Sequence, residues 1–158
     1  MVDIELIESA LKINEEIVKT EPINQGTLNF FTEYQIPEEL VLFMKKFSFT
    51  QNIKFNHVYF DKVNDIPENN LWEENKRCID EGLLIIGSGL NGDFIVVDLN
   101  TLKVGYVFHD EIWEDEEAIV RENYISLNFS IGHFYYNART IEEFPVDGRE
   151  AEEYMDQF

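Results

Sequence analysis

The amino-acid sequence predicts an α+β fold, in which helices and an antiparallel meander form one domain over residues 1–158. Three observations lead to this prediction. Residues 83–108 contain three consecutive runs that are rich in β-branched and aromatic residues. Amphipathic helical patterns lie before and after these runs. The chain has 158 residues, of which 44% are hydrophobic, and this size and composition suit a single core.

The N-terminal third predicts two helices. Over residues 3–19, apolar side chains occupy one half of the helical wheel and charged side chains the other. Residues 20–26 have the composition of a turn. A second helix is predicted to begin at Pro37, because proline suits the first helical position and the two glutamates after it complement the positive end of the helix dipole. Its buried stripe has the i, i+3, i+4, i+7 spacing and consists of Leu40, Phe43, Met44 and Phe47.

The middle of the chain predicts one strand and a short helix before the meander. Residues 55–63 have the composition of a strand, although their alternation of apolar and polar residues is imperfect. A helix is then predicted within 67–82, ending at Gly82 in the C-cap role. Its inward-facing residues are predicted to be Leu71, Trp72 and Ile79.

The C-terminal third predicts two further helices. Residues 124–138 are strongly hydrophobic and suit a buried helix with Asn128 as its N-cap. The buried residues of this helix are predicted to be Phe129, Phe134 and Tyr135. A last helix is predicted from about Arg149, within an acidic extension that begins near residue 140.

The meander contains the spacing G-x-G-x-x-G, which is typical of dinucleotide-binding loops. The glycines are Gly87, Gly89 and Gly92, and Asp110 follows about twenty positions later. A dinucleotide site needs a helix directly after the glycines, because the N–H groups of its first turn bind the pyrophosphate. Residues 94–99 instead have the composition of a strand. We therefore expect a hairpin loop with no cofactor, in which a glycine or an asparagine takes positive φ.

The middle strand of the meander carries apolar residues on both of its faces. This pattern is typical of a central strand that a helix covers on at least one side. Asp93 lies directly before this strand. We expect its carboxylate to accept hydrogen bonds from nearby backbone N–H groups and to stabilise the turn.

The charge balance argues against nucleic-acid and anionic-lipid partners. The chain has 32 acidic and 12 basic residues, a formal net charge of −20, whereas binding to phosphates depends on Lys and Arg. The same charge would attract a basic protein and accelerate its approach, or it could serve solubility alone. Fourteen of the acids lie in 110–122 and 142–156.

The sequence gives no indication of a secreted or membrane-spanning protein. Cys78 is the one cysteine, so a disulfide framework is not expected. The first residues are acidic where a signal peptide would be basic, and no apolar run reaches the length of a membrane span. These features predict a cytoplasmic protein that does not associate with membranes.

Catalytic and metal-binding patterns are weak throughout the chain. The histidines are His57, His109 and His133, and they lack the spacing of metal ligands. Ser88 lies between two glycines, but the order does not match the G-x-S-x-G nucleophile motif. Cys78 lies on a predicted helix, where a buried structural role is more common than a nucleophilic one. We therefore predict no enzymatic activity, no catalytic residue and no metal site.

The order of motifs resembles the SUKH superfamily, in particular its Smi/Knr cell-wall-assembly-regulator branch. The helix that begins Pro37-Glu38-Glu39-Leu40 is similar to one family motif, and the closing helix led by Ser130 is similar to another. The hairpin motif of the family is similar to Ile86-Gly87, Gly92-Asp93 and Asp98. The residues 46–50 after the second helix and the acidic tail after residue 140 depart from the family pattern.

The resemblance implies an α+β fold with a mainly antiparallel sheet flanked by helices, and a non-enzymatic role. Bacterial members look like immunity proteins that neutralise a toxin, often a nuclease or a deaminase. Such a toxin would be a basic protein partner, and the acidic segment is the candidate surface for binding it: Asp110, Glu111, Trp113, Glu114, Asp115, Glu116 and Glu117. The alternatives are a scaffold or regulatory domain in cell-wall or signalling pathways, and a nucleotide-binding enzyme that uses the glycine loop.

Overall fold

The computed structural model describes residues 1–13 and 18–158. Within them, six strands form one antiparallel sheet in which every strand pairs with its neighbours in sequence. The strands are β1 (Ile53–Phe55), β2 (Val58–Phe60), β3 (Leu83–Ser88), β4 (Phe94–Asp98), β5 (Lys103–Val107) and β6 (Tyr124–Phe129). The predicted α+β class and the meander at 83–108 are confirmed.

Eight α-helices in the described residues accompany this sheet. They are α1 (Ile4–Ile13), α2 (Gln25–Glu33), α3 (Glu38–Lys46), α4 (Ile66–Leu71), α5 (Lys76–Asp80), α6 (His109–Glu114), α7 (Ile131–Thr140) and α8 (Gly148–Met155). Short 3₁₀ turns lie at 63–65, 73–75 and 120–123. Helix α3 follows Pro37 as predicted, and α8 lies where the last helix was expected.

The sheet is buried on both faces. Ile95 and Val97 of β4 enter a large core to which Phe134 of α7 also belongs. Phe94 and Val96, on the opposite face, enter a smaller core that includes Ile112 of α6. The prediction that the middle strand of the meander is central and covered is therefore confirmed.

The N-terminal helix is shorter than predicted. Helix α1 covers Ile4–Ile13 in the described part of the chain, the prediction for residues 14–17 lies outside that part, and residues 18–19 are not helical. Helix α2 was not predicted at all, because its sequence lacks a strong apolar stripe. Its N-terminus is instead specified by Asn24, whose side chain accepts a hydrogen bond of 2.8 Å from the backbone N–H of Thr27.

The single strand predicted at 55–63 is wrong. The chain forms a hairpin there, with β1 and β2 joined by Asn56 and His57, and Asn56 has φ of +59°. Asparagine tolerates this left-handed conformation. Its side-chain amide also donates a hydrogen bond of 2.8 Å to the carbonyl oxygen of Ala138, and this contact attaches the hairpin to α7.

The continuous helix predicted at 124–138 is also wrong. The segment divides into β6 and α7, and Phe129 belongs to the strand. The N-cap of α7 is Ser130, whose hydroxyl accepts a hydrogen bond from the backbone N–H of His133. Asn128 is not a cap, because it lies in β6 with φ of +60°.

The inward positions predicted for Leu71 and Trp72 are wrong, although Ile79 is buried as expected. The helical pattern breaks at Trp72, and the buried positions in α4 belong to Ile66 and Asn70. The Asn70 side chain forms two hydrogen bonds with the backbone of Ile85 in β3, at 2.9 and 2.8 Å. Gly82 has φ of +80° at the end of this region, which agrees with its predicted C-cap role.

Candidate functional site

The candidate site is the exposed surface formed by α6 and the turn that follows it. All seven residues proposed for partner binding lie here and all are exposed: Asp110, Glu111, Trp113 and Glu114 on α6, and Asp115, Glu116 and Glu117 in the turn. Ile112 is the buried residue of the helix and enters the smaller core. The structure therefore brings the predicted residues together on one side of a short, anchored helix.

Trp113 is fixed in orientation although half of it is exposed. Its relative exposure is 51%. The indole N–H donates a hydrogen bond of 2.9 Å to the side-chain oxygen of Asn75. The ring makes edge contacts with His109 at 5.0 Å and with Phe94 at 6.1 Å between centroids. The tryptophan is thus pre-oriented, with part of the ring available to a partner.

A second tryptophan extends this surface and was missed by the sequence analysis. Trp72 is 58% exposed and precedes the 3₁₀ turn at 73–75 that contacts α6. The backbone N–H of Asn75 donates a hydrogen bond of 2.8 Å to the carbonyl oxygen of Trp72. Asn75 therefore contacts both tryptophan residues. We call Trp72, Glu73, Glu74 and the seven exposed residues of 110–117 together the α6 surface.

Arg77 of α5 binds the C-terminal end of α6 through its guanidinium. Its guanidinium donates hydrogen bonds to the carbonyl oxygens of Ile112 at 2.8 Å and Asp115 at 3.1 Å, and also to that of Ala118. The carbonyls of Ile112 and Asp115 lie at the C-terminal end of α6, where a cation is favourable. The turn that carries the acidic residues is consequently tied to α5.

Asp93 anchors the beginning of α6. Its Oδ1 atom accepts a hydrogen bond of 3.2 Å from the backbone N–H of His109 and lies 2.6 Å from His109 Nδ1. Its Oδ2 atom accepts a hydrogen bond of 2.9 Å from the backbone N–H of Gly148. Asp93 is a backbone acceptor as predicted, but these backbone donors lie at the starts of α6 and α8, whereas the turn contributes the side-chain amide of Asn91, at 3.3 Å from Oδ2.

Asp98 anchors the other end of the acidic segment. Arg121 donates hydrogen bonds to both of its carboxylate oxygens, at 2.9 and 3.2 Å, and these bonds lower the pKa of Asp98. Arg121 also donates to the carbonyl oxygen of Glu81. Asp93 precedes β4 and Asp98 is its last residue, and these two aspartates bind His109 and Arg121, which lie before and after the acidic residues 110–117.

The three glycines of the motif serve close packing and a turn. A Cβ on Gly87 would lie 1.9 Å from the carbonyl oxygen of Tyr59, and one on Gly89 would lie 2.2 Å from that of Val146. Gly92 has φ of +95° and lies beside the His109 ring. Only glycine fits such close approaches without a shift of the backbone.

The glycine loop leads into β4, as predicted, and its N–H groups are engaged within the protein. The backbone N–H of Gly89 donates to the carbonyl oxygen of Asp93, that of Leu90 to Val146, and that of Gly92 to Gly89. A pyrophosphate cradle requires free N–H groups at the start of a helix. The loop geometry therefore differs from that of a dinucleotide-binding loop.

The remaining chemical candidates lie apart from this surface. Cys78 is buried in α5, and burial raises the pKa of its thiol to about 12, which disfavours the nucleophilic thiolate. His57 lies in the β1–β2 turn and His133 packs against Phe129. Over residues 1–13 and 18–158, no group of three or more His, Cys, Asp or Glu side chains is arranged to hold a metal ion.

Comparisons with known proteins found no matching family model and no significant match among curated proteins or solved structures. In the described part of the chain, no helix has the length and apolar character needed to cross a membrane.

Proposed function

We propose that this protein is a non-enzymatic binding domain whose α6 surface docks a basic protein. We further propose that it acts as an immunity protein, which neutralises a toxin of the nuclease or deaminase type. The resemblance of its ordered motifs to the SUKH superfamily supports this role, as does the net charge of −20. The observation that carries the proposal is the pair of half-exposed tryptophans in a strongly acidic setting.

The tryptophans supply the affinity in this proposal. Trp is enriched among the interface residues that cost most when truncated, because it buries a large area with few rotatable bonds. Trp113 is already held by Asn75 and His109, so little conformational entropy is lost when it is covered. The exposed part of its ring can also receive an Arg or Lys side chain of the partner through a cation–π contact.

In this proposal, the acidic side chains raise the association rate and determine the specificity for a basic partner. Complementary charge accelerates the encounter of two proteins and disfavours partners of the same sign. Enzymes that act on nucleic acids carry basic surfaces for binding phosphates. An acidic, tryptophan-bearing surface could cover such a groove and exclude the substrate.

The first test is binding to the protein encoded by the neighbouring gene, measured as association and dissociation rates at several salt concentrations. Reversing four charges, with Lys at Glu114, Asp115, Glu116 and Glu117, should slow association and flatten its salt dependence. Trp113→Ala should mainly accelerate dissociation, because short-range contacts determine that rate.

A matched control separates this surface from the overall charge. Lys at Glu33, Glu152, Glu153 and Asp156 makes the same change in net charge at exposed positions in α2, in α8 and at the C-cap of α8. The control should retain most of the parent's association rate. Equal association rates for the parent and the α6-surface variant at low salt would contradict the proposal, as would the absence of any complex.

A further inference from the structure

A groove outside the α6 surface lies between the β1–β2 turn and the segment that joins α7 to α8. Its volume is about 350 Å³, near the lower end of the range for ligand sites. The turn contributes Asn56 and His57, the joining segment contributes residues 141–146, and Leu90 of the glycine loop closes one side.

The lining of the groove is mainly apolar. Leu90 is 63% exposed and Ile141 is also exposed, so two large apolar side chains face solvent at the same place. The other apolar lining residues are Phe55, Val58, Ala138, Phe144, Pro145 and Val146. An exposed apolar concavity of this kind marks an interaction site more often than isolated exposed residues do.

The rim of the groove is acidic. Glu142, Glu143 and Glu150 lie among its described lining residues, and no Lys or Arg does. All three glutamates are exposed. A ligand that fits both features needs an apolar group to enter the groove and a positive charge to face the rim.

The walls of the groove are held by hydrogen bonds between distant parts of the chain. Tyr106 donates from its hydroxyl to the carbonyl oxygen of Pro145 at 3.0 Å, and the backbone N–H of Leu90 donates to that of Val146 at 2.9 Å. Asn56 bonds to Ala138 on the opposite wall. The groove is therefore formed before any ligand arrives, which reduces the entropy lost on binding.

From these observations we infer that the groove docks a basic peptide segment of a partner protein. An aliphatic or aromatic side chain of the segment enters the groove, and a flanking Arg or Lys meets the glutamates at the rim. A second copy of this chain is disfavoured as the occupant, because each copy carries a net charge of −20 and would repel the other. The inference does not depend on the α6 surface, since the two sites share no lining residue.

A peptide titration followed by NMR tests this inference. The probe is the capped tripeptide Arg-Leu-Arg, added to the ¹⁵N-labelled protein. Capped Arg-Gly-Arg lacks the apolar side chain, and capped Glu-Leu-Glu reverses the charge. We expect saturable shifts of backbone resonances in residues 141–146 and at Leu90 with Arg-Leu-Arg, and binding at least about tenfold weaker with either control peptide.

Variants locate the site within the same experiment. Ile141→Ser and the double variant Glu142→Gln, Glu150→Gln should each weaken the binding of Arg-Leu-Arg severalfold. The control variant Glu33→Gln, Glu152→Gln changes the same charge at exposed positions outside the groove and should bind the peptide like the parent. Three results would overturn the inference. In the first, Arg-Gly-Arg binds as tightly as Arg-Leu-Arg. In the second, the resonances that shift do not include those of the groove residues. In the third, the groove resonances shift with protein concentration in the absence of peptide, which would indicate that a second copy of the chain is the occupant.

Discussion

Two carboxylates beside one histidine should differ strongly in their contribution to stability. Asp93 Oδ1 lies 2.6 Å from His109 Nδ1, and Asp110 Oδ1 lies 2.6 Å from His109 Nε2. The distances are equal, but the side chain of Asp93 is 4% exposed and that of Asp110 is 68% exposed. Alanine substitutions at the two positions therefore compare a buried contact with an exposed contact to the same ring.

The structure gives the expected magnitudes. Asp93→Ala removes the acceptor of the backbone N–H groups of His109 and Gly148 as well as the contact with the ring. Gly148 is buried, so its N–H is left without an acceptor, which costs about 1–3 kcal/mol. Together with the lost hydrogen bond between the carboxylate and the His109 ring, the total should be about 4 kcal/mol. Asp110→Ala should cost at most about 1 kcal/mol, because water and salt screen an exposed pair.

Urea unfolding at pH 7 measures both values. The free energy of unfolding is obtained by linear extrapolation, and Asp93→Asn serves as a variant that keeps the shape of the side chain. Asp93→Asn should lose less unfolding free energy than Asp93→Ala, because its remaining side-chain oxygen still accepts a hydrogen bond from one of the two backbone N–H groups. Equal losses for Asp93→Ala and Asp110→Ala would refute the argument that burial, rather than distance, determines the energy here.

Three further predictions concern single sites in the fold. Burial raises the pKa of Asp61 from 3.8 to about 6, so its contribution to stability is complete below about pH 4 and is lost as the pH rises through 6. Relative to the parent, Asp61→Asn should therefore gain about 2 kcal/mol more at pH 7.5 than at pH 4.5 in urea unfolding, and a gain that does not change with pH would contradict this. Gly87→Ala should lower the free energy of unfolding by at least about 2 kcal/mol, because its Cβ would lie 1.9 Å from the carbonyl oxygen of Tyr59. A melting temperature equal to that of the parent would contradict this prediction and would show that β2 and β3 move apart easily. Arg121→Gln should lower the free energy of unfolding by about 1–2 kcal/mol at pH 7 and by less below about pH 4, because the ion pair with Asp98 stabilises the fold only while that carboxylate is ionised. Urea unfolding at pH 3 and pH 7 measures both values, and a larger loss at pH 3 would contradict this prediction.

The sequence was sufficient to predict those elements for which one local signal dominated. The meander could be predicted because three β-rich runs lie close together and a strand follows the glycines directly. Helix α3 could be predicted because Pro37, its acidic first turn and its apolar stripe all agree. The seven candidate residues of α6 and its turn are exposed in one segment because that segment carries a dense run of acids.

Other features depend on contacts between distant residues and could not be predicted in this way. Leu71 suits a helix interior better than Asn70 does, but only Asn70 can pair with the backbone of Ile85. Because that pairing turns Asn70 inward, Trp72 comes to lie on the surface beside α6. The partners of Asp93 at residues 109 and 148 likewise depend on tertiary packing. A signal for the β1–β2 turn was present at Asn56, since asparagine tolerates positive φ, although no glycine follows it.

Amide hydrogen exchange, with and without the protein encoded by the neighbouring gene, tests the binding role of the α6 surface most directly. The exchange rate of each segment is compared between the free protein and the complex. We expect slowed exchange in residues 72–75 and 109–118 on binding, with little change in α2 and α3. Protection confined to another part of the protein, such as the edge strand β6, or no protection at all would contradict the assignment of the α6 surface as the binding site.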